Sequence, residues 1–209
     1  MSYQQYREER DAAWRLLIKH NVGSLPVDIM SICEKEGIVV RSFSFARKMG
    51  VLEALGIEGA VAGNDGLAFS IGGKLMILYD DRKTVQRQRF TIAHELGHII
   101  NGDVGRTPTE RNREPSDDDT GIEARANMVA ARILSPACVL WALEVSSPRE
   151  VARLCGISMP AARWRFRRMQ VLYQREQDWM ARFGRSCFLQ SSLERAVYKN
   201  FREYIEQRK

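Results

Sequence analysis

Two of the chain's three histidines stand four residues apart, in His94-Glu95-Leu96-Gly97-His98. The residues around them, from about Thr84 to Ile100, repeat their apolar positions at helical spacing, and Asn101-Gly102 closes the run. Positions i and i+4 of a helix project from one face, so both imidazoles can reach a single metal ion while the glutamate between them stands beside it. This constrains the whole fold. Zinc in a catalytic site takes three protein ligands and leaves a fourth position for water, so another part of the chain must bring a ligand to this helix. Gly97, inside the motif, leaves room for other backbone to come close on the metal side.

The third ligand has to be found by elimination. Asn101 and Val104 stand where an H-x-x-G-x-x-H continuation would need Gly and His, and His20 falls on the polar side of an opening helix. A downstream carboxylate is left: Glu110, Glu114, Asp117, Asp118, Asp119 or Glu123. Residues 102–119 hold Gly105, Pro108, Pro115 and three consecutive aspartates with no apolar period, which reads as a mobile surface loop and a poor frame for a ligand. Glu123 instead opens a helix from Thr120 to Leu134, stopped by Ser135-Pro136. Its Ala126, Ala130 and Ala131 are small enough to let it press on the His94 helix. Spacing favours Glu123, and a competing use stays open: Thr120-Gly121-Ile122-Glu123 also fits a capping box in which Glu123 returns to the Thr120 amide.

The rest of the chain supplies a frame. Tyr3 to His20 places Tyr6, Ala13, Trp14, Leu17 and Ile18 at helical spacing, and Pro26 to Glu36 reads as a second helix ended by Gly37. Ile38 to Phe45 is β-branched and aromatic. Between Gly56 and Asp81, glycines and Asn64-Asp65-Gly66 separate short apolar runs at Ala60–Ala62, Leu67–Ile71 and Leu75–Tyr79, which predicts a small twisted sheet with hairpin turns. The Leu75–Tyr79 strand leads into the His94 helix by a short connection and is read as an edge to which an extended peptide could add. Tyr79 is a candidate oxyanion donor by nearness in sequence, with a core role as the alternative.

Composition bounds the partners. With 209 residues, 44% hydrophobic and 28% charged, the chain can bury one compact domain and a smaller appendage, which excludes disorder. No apolar run approaches the roughly 18 residues of a membrane span, and the polar, acidic opening suits neither a secretory signal nor a transit peptide, so the cytoplasm is expected. Cys33, Cys138, Cys155 and Cys187 lie far apart in apolar or helical stretches and read as reduced core residues. The net charge of +6 is a C-terminal property: residues 145–209 carry 14 basic and 6 acidic side chains. Such asymmetry suits an acidic partner for that end, either a nucleic acid or an acidic protein surface.

The run Arg89-Phe90-Thr91-Ile92-Ala93-His94-Glu95-Leu96-Gly97-His98, followed by Glu123-x-x-Ala126-Asn127-x-x-Ala130-Ala131-x-x-Leu134-x-Pro136, resembles the ImmA/IrrE family of metallopeptidases. The likeness covers roughly residues 25–170 and departs at two motif positions: Val129 stands where an aromatic is common, and Arg125 where an acid is. The resemblance implies zinc held by His94, His98 and Glu123. It also implies an α+β, zincin-like domain, with a small mixed or antiparallel sheet packed on the HExxH helix and the Glu123 helix. That domain is placed at residues 1–144, with a helical basic region at 145–209. A metal so held lowers the pKa of its bound water toward neutrality, and Glu95 is placed to take the proton as general base and deliver it to the leaving amine. The substrates implied are helix-turn-helix repressors of mobile elements or stress genes.

The C-terminal region allows a competing reading. Ser147, Pro148 and Glu150 supply an N-cap, an N1 proline and a capping-box partner, and Arg149 to Ser158 resembles the first helix and turn of a helix-turn-helix. The next helix carries Arg163, Arg165, Arg167 and Arg168 around Trp164 and Phe166. A DNA-binding regulator with a structural metal is the alternative function. Against it, four arginines within six positions cannot all share one helix face. An inactive metal-bound interaction module is a third reading, opposed by the intact Glu95.

Overall fold

The computed structural model describes residues 7–104 and 117–208. It divides into two compact units that do not follow chain order: Met1–Glu9 with Asp28–Ala130, and Arg10–Val27 with Ala131–Lys209. In sequence the described elements are α1 (Arg7–Lys19), α2 (Ile29–Lys35), β1 (Val39–Ser42), α3 (Phe43–Lys48), α4 (Val51–Ala54), α5 (Glu58–Val61), β2 (Gly66–Ile71), β3 (Lys74–Tyr79), α6 (Val85–Asn101), α7 (Asp117–Leu134), α8 (Ala137–Ala142), α9 (Pro148–Cys155), α10 (Met159–Phe183), α11 (Ser192–Asn200) and α12 (Arg202–Glu206). The architecture is α+β with a small mixed sheet. Tyr3 and Tyr6 lie outside the described residues, as do Glu110 and Glu114.

In the first unit the sheet has the order β1-β3-β2, with β1 parallel and β2 antiparallel to β3. The β2–β3 hairpin closes on Gly72-Gly73 with φ of 54° and 78°, the two left-handed positions that a two-residue turn needs to match strand twist. The strand expected at the edge, Leu75–Tyr79, is therefore the central one, and β1 and β2 form the edges. Two short runs also differ from expectation. Ala60 and Val61 fall in α5, because a run of three residues, two of them alanine, offers a strand too little length and too little β propensity. The chain after Ser42 turns into α3, because the Ser42 hydroxyl accepts from the Phe45 amide at 3.1 Å and caps a helix there. These short helices close over one face of the sheet, where Phe69, Leu78, Leu52 and Ile57 are fully buried. Each such side chain contributes about 1.5–3 kcal/mol. Helix α6 packs against β2 and β3, and α2 packs against α6 and β1.

The second unit is helical. Helix α1 buries Ala13, Trp14 and Leu17 and exposes Arg15 and Lys19, as its spacing required. Helix α10 packs on α8 and α9, α11 packs on α8 and α12, and Trp141 stacks on Phe188 with ring centroids 4.6 Å apart. Gly23 meets the Asn200 carbonyl so closely that a Cβ there would stand 2.6 Å from its oxygen. Cys33, Cys138 and Cys155 are buried free thiols, and burial pushes the first two up to about 12. Among the described residues no helix is long and apolar enough to cross a membrane.

Candidate metal centre

Helix α6 is fixed at both ends. Thr84 caps its start, accepting from the Arg87 amide, and Arg87 and Lys83 reach Asp65 ahead of β2 at 2.5 and 3.0 Å. Gly102, with φ 75°, ends the helix and returns its N–H to the His98 carbonyl. His94 and His98 sit one turn apart on this anchored segment, His94 partly covered and His98 fully buried.

Gly97 decides how the second motif helix approaches. A Cβ on Gly97 would stand 2.8 Å from the Ala126 carbonyl oxygen and 3.0 Å from the Ala126 Cα, so α7 lies directly against α6 backbone at that point. Ala126 and Ala130, both fully buried, keep the contact close. Glu123 lies one turn before Ala126 and is thereby brought over the histidines. Its Oε2 is 3.0 Å from His94 Nε2, its Oε1 is 3.2 Å from His98 Nε2, and the two Nε2 atoms are 3.0 Å apart. The carboxyl is therefore at the histidines and not at a helix cap, and α7 begins at Asp117, ahead of Thr120.

Three donor atoms converging on one point fit a divalent cation. A tetrahedral zinc with bonds of about 2.0–2.1 Å has ligand–ligand edges of about 3.3 Å, close to the observed spacings. The tautomers agree. His94 Nδ1 lies 3.0 Å from Asn127 Oδ1, an atom that can only accept, so Nδ1 carries the proton and Nε2 turns a lone pair inward. His98 Nδ1 faces Asp103 Oδ2 at 3.6 Å, and Asp103 Oδ1 accepts from Arg125 at 3.0 Å. Two inward lone pairs and a carboxylate repel one another unless a cation lies between them.

Glu95 lies between the two histidine turns and is buried. Its stem packs on the start of β2: a Cβ on Gly66 would collide with Thr91 Cγ2 and stand 3.2 Å from Glu95 Cγ. Gly66 thus makes space for the base on the sheet side of α6. Tyr79 ends β3, half-buried and paired in register with Gly66 and Ser42. His20 follows α1 and is not among the grouped donors, which are His94, His98 and Glu123 among the described residues. The side chains of Asp117, Asp118 and Asp119 lie outside the described residues. Sequence reasoning did not find Asp103. Its one signal was its place just after the glycine that ends α6, where the chain turns back past His98.

The sequence profile of a peptidase family, M78, described as the IrrE N-terminal-like domain, matches residues 33–167. The chain belongs to this family. The matched stretch of the IrrE N-terminal-like domain runs from α2 into α10 and contains both motif helices, so the three grouped donors fall inside it. Arg125, inside the matched stretch, donates to Asp103 Oδ1. No curated protein sequence matches the chain.

Proposed function

We propose that this protein is a zinc-dependent endopeptidase that cuts a helix-turn-helix transcriptional repressor. The observation that carries the reading is the convergence of His94 Nε2, His98 Nε2 and a Glu123 oxygen, with Glu95 buried on the same helix between the histidines. A structural zinc site is closed by four protein ligands. Here three donors are grouped among the described residues, and the Glu123 side chain is 53% exposed, so the site is open on the α7 side.

Zinc held by His94, His98 and Glu123 would supply a Lewis acid that acidifies water and polarises a carbonyl. The protein's own residues do the rest. Glu95 accepts the proton of the attacking water as its oxygen bonds to the carbonyl carbon, then gives that proton to the amine as the C–N bond breaks. Asn127 fixes the His94 tautomer, and the Asp103 carboxylate stands 3.6 Å from His98 Nδ1 on the side away from the grouped donors. An extended peptide would find main-chain partners on the outer edge of β2, the strand whose first residue packs on Glu95. The repressor as substrate rests on the family resemblance in the two motif helices, and the cytoplasm is the compartment that such a substrate implies.

The test is incubation of the zinc-loaded chain with the repressor encoded nearest its gene, read by mass spectrometry for a discrete cut. Glu95→Gln should retain zinc and lose the cut, and His94→Ala should lose both. Cleavage that persists in Glu95→Gln or after chelation would remove the mechanism.

A further inference from the structure

We propose that the exposed face of α10 is a docking surface for duplex DNA, held by phosphate contacts and largely indifferent to sequence. The surface lies wholly in the second unit and does not depend on the metal site.

The objection raised by the sequence was geometric, and the structure removes it. Arg165 turns inward: it is buried, donates to the Ser135 carbonyl, and desolvation lowers its pKa to about 10. Arg163, Trp164, Arg167 and Arg168 remain exposed. At about 100° per residue these four span an arc of about 140° on one side of the helix, opposite buried Ala162, Arg165 and Met169. Gln170 and Gln174 are exposed on the same side. No Asp or Glu occurs between Glu150 and Glu176, so the arginine-bearing first half of the face carries no acid on α10 itself; Asp178, three turns beyond Arg167 on the same side, accepts from Gln174 at 3.0 Å. None of the three exposed arginines has an ion-pair partner among the described residues.

The preceding element completes the arrangement. Helix α9 ends at Gly156, with φ 61°, and Ser158 caps α10, leaving the three-residue turn Gly156-Ile157-Ser158 of a helix-turn-helix. In that motif the second helix enters the major groove, which is about 12 Å wide, and the first crosses the backbone. Arg163 and Arg168 stand at the two margins of the arc, where each can meet one phosphate wall, with Arg167 and Trp164 between them. Arg153 is exposed on α9. A flat acidic protein surface would engage one margin of this arc, whereas a groove engages both. The positions that would read bases at the start of the second helix are Met159, Pro160 and Ala161, which offer no side-chain hydrogen bond, and for that reason the contact is sequence-tolerant.

The experiment is fluorescence anisotropy of the full chain with a labelled duplex of random sequence across salt concentrations. The comparison is with a triple variant, Arg163→Gln, Arg167→Gln and Arg168→Gln. A control triple, Arg185→Gln, Lys199→Gln and Arg202→Gln, removes equal charge from the unit outside α10. Wild type should bind in the micromolar range at low salt and weaken steeply as salt rises. The face variant should lose at least about tenfold in affinity, with a log–log salt slope shallower by about 3, while the control stays near wild type. Circular dichroism checks folding. If the triple variant is unfolded, Arg167→Gln alone should shift the slope by about 1. Absence of binding at low salt, equal loss in both triples, or tight binding to polyglutamate but not DNA overturns the proposal.

Discussion

His98 Nδ1 and Asp103 Oδ2 face each other across 3.6 Å, both buried, and among the described residues neither atom has a hydrogen-bond partner. An acceptor on Nδ1 fixes the tautomer that leaves Nε2 free for metal and makes that nitrogen a better donor. Arg125 holds the other oxygen of Asp103 and so orients the carboxylate. Asp103→Ala should therefore lower zinc affinity by about 10–100-fold while the protein stays folded. Competition with a chromophoric chelator measures this without any substrate. Unchanged affinity would mean that Asp103 serves only the end of α6.

Gly97 carries the contact between α6 and α7. A methyl group there would press on the Ala126 carbonyl at 2.8 Å, and backbone cannot rotate aside as a side chain can. Gly97→Ala should cost about 1–3 kcal/mol and move Glu123 off the histidines, so that zinc affinity falls along with stability. Thermal denaturation and the chelator assay together check it. Lost stability with intact zinc binding would show that α7 can shift without carrying Glu123 away.

Asp80 joins β3 to α6, and the Arg82 guanidinium holds its carboxyl at about 2, below the ordinary value. Between about pH 2 and 4 the unfolded chain binds more protons at this site than the folded one, so stability rises with pH across that window. The contribution is present above the unfolded pKa and is lost as pH falls through about 2. Asp80→Asn should flatten this part of the acid-unfolding curve, followed by circular dichroism, and leave the curve above about pH 5 parallel to wild type.

Much of the site was legible because its signals are local. The i, i+4 histidines, the Thr84 and Gly102 ends of α6, and the small residues of α7 each follow from spacing or capping within one helix. The Ser147 cap was legible too, although Glu150 returns to the amide of Ser146 and not to that of Ser147. What escaped depends on tertiary pairing. Strand order cannot be read from strand content, so the central place of β3 was hidden, and with it the fact that β2 is the edge beside Glu95. Asp103 escaped because a residue after a helix-ending glycine carries no periodic mark. The α10 face escaped because burial of Arg165 is decided by α8 and α9.

Zinc itself should stabilise the fold, and this separates ligands from bystanders. Binding to the folded chain alone contributes RT ln(1 + [L]/Kd), about 2.7 kcal/mol when free zinc is 100 times Kd, which for a chain of this size raises Tm by roughly 5–11 °C. Glu123→Gln removes the anionic donor and should shrink the rise sharply. Glu95→Gln should leave it whole, because Glu95 is not among the grouped donors. Differential scanning calorimetry with and without zinc reads the shifts, and resolves whether the rise belongs to the unit that carries α6. An equal rise in Glu123→Gln and wild type would take the third ligand away from Glu123.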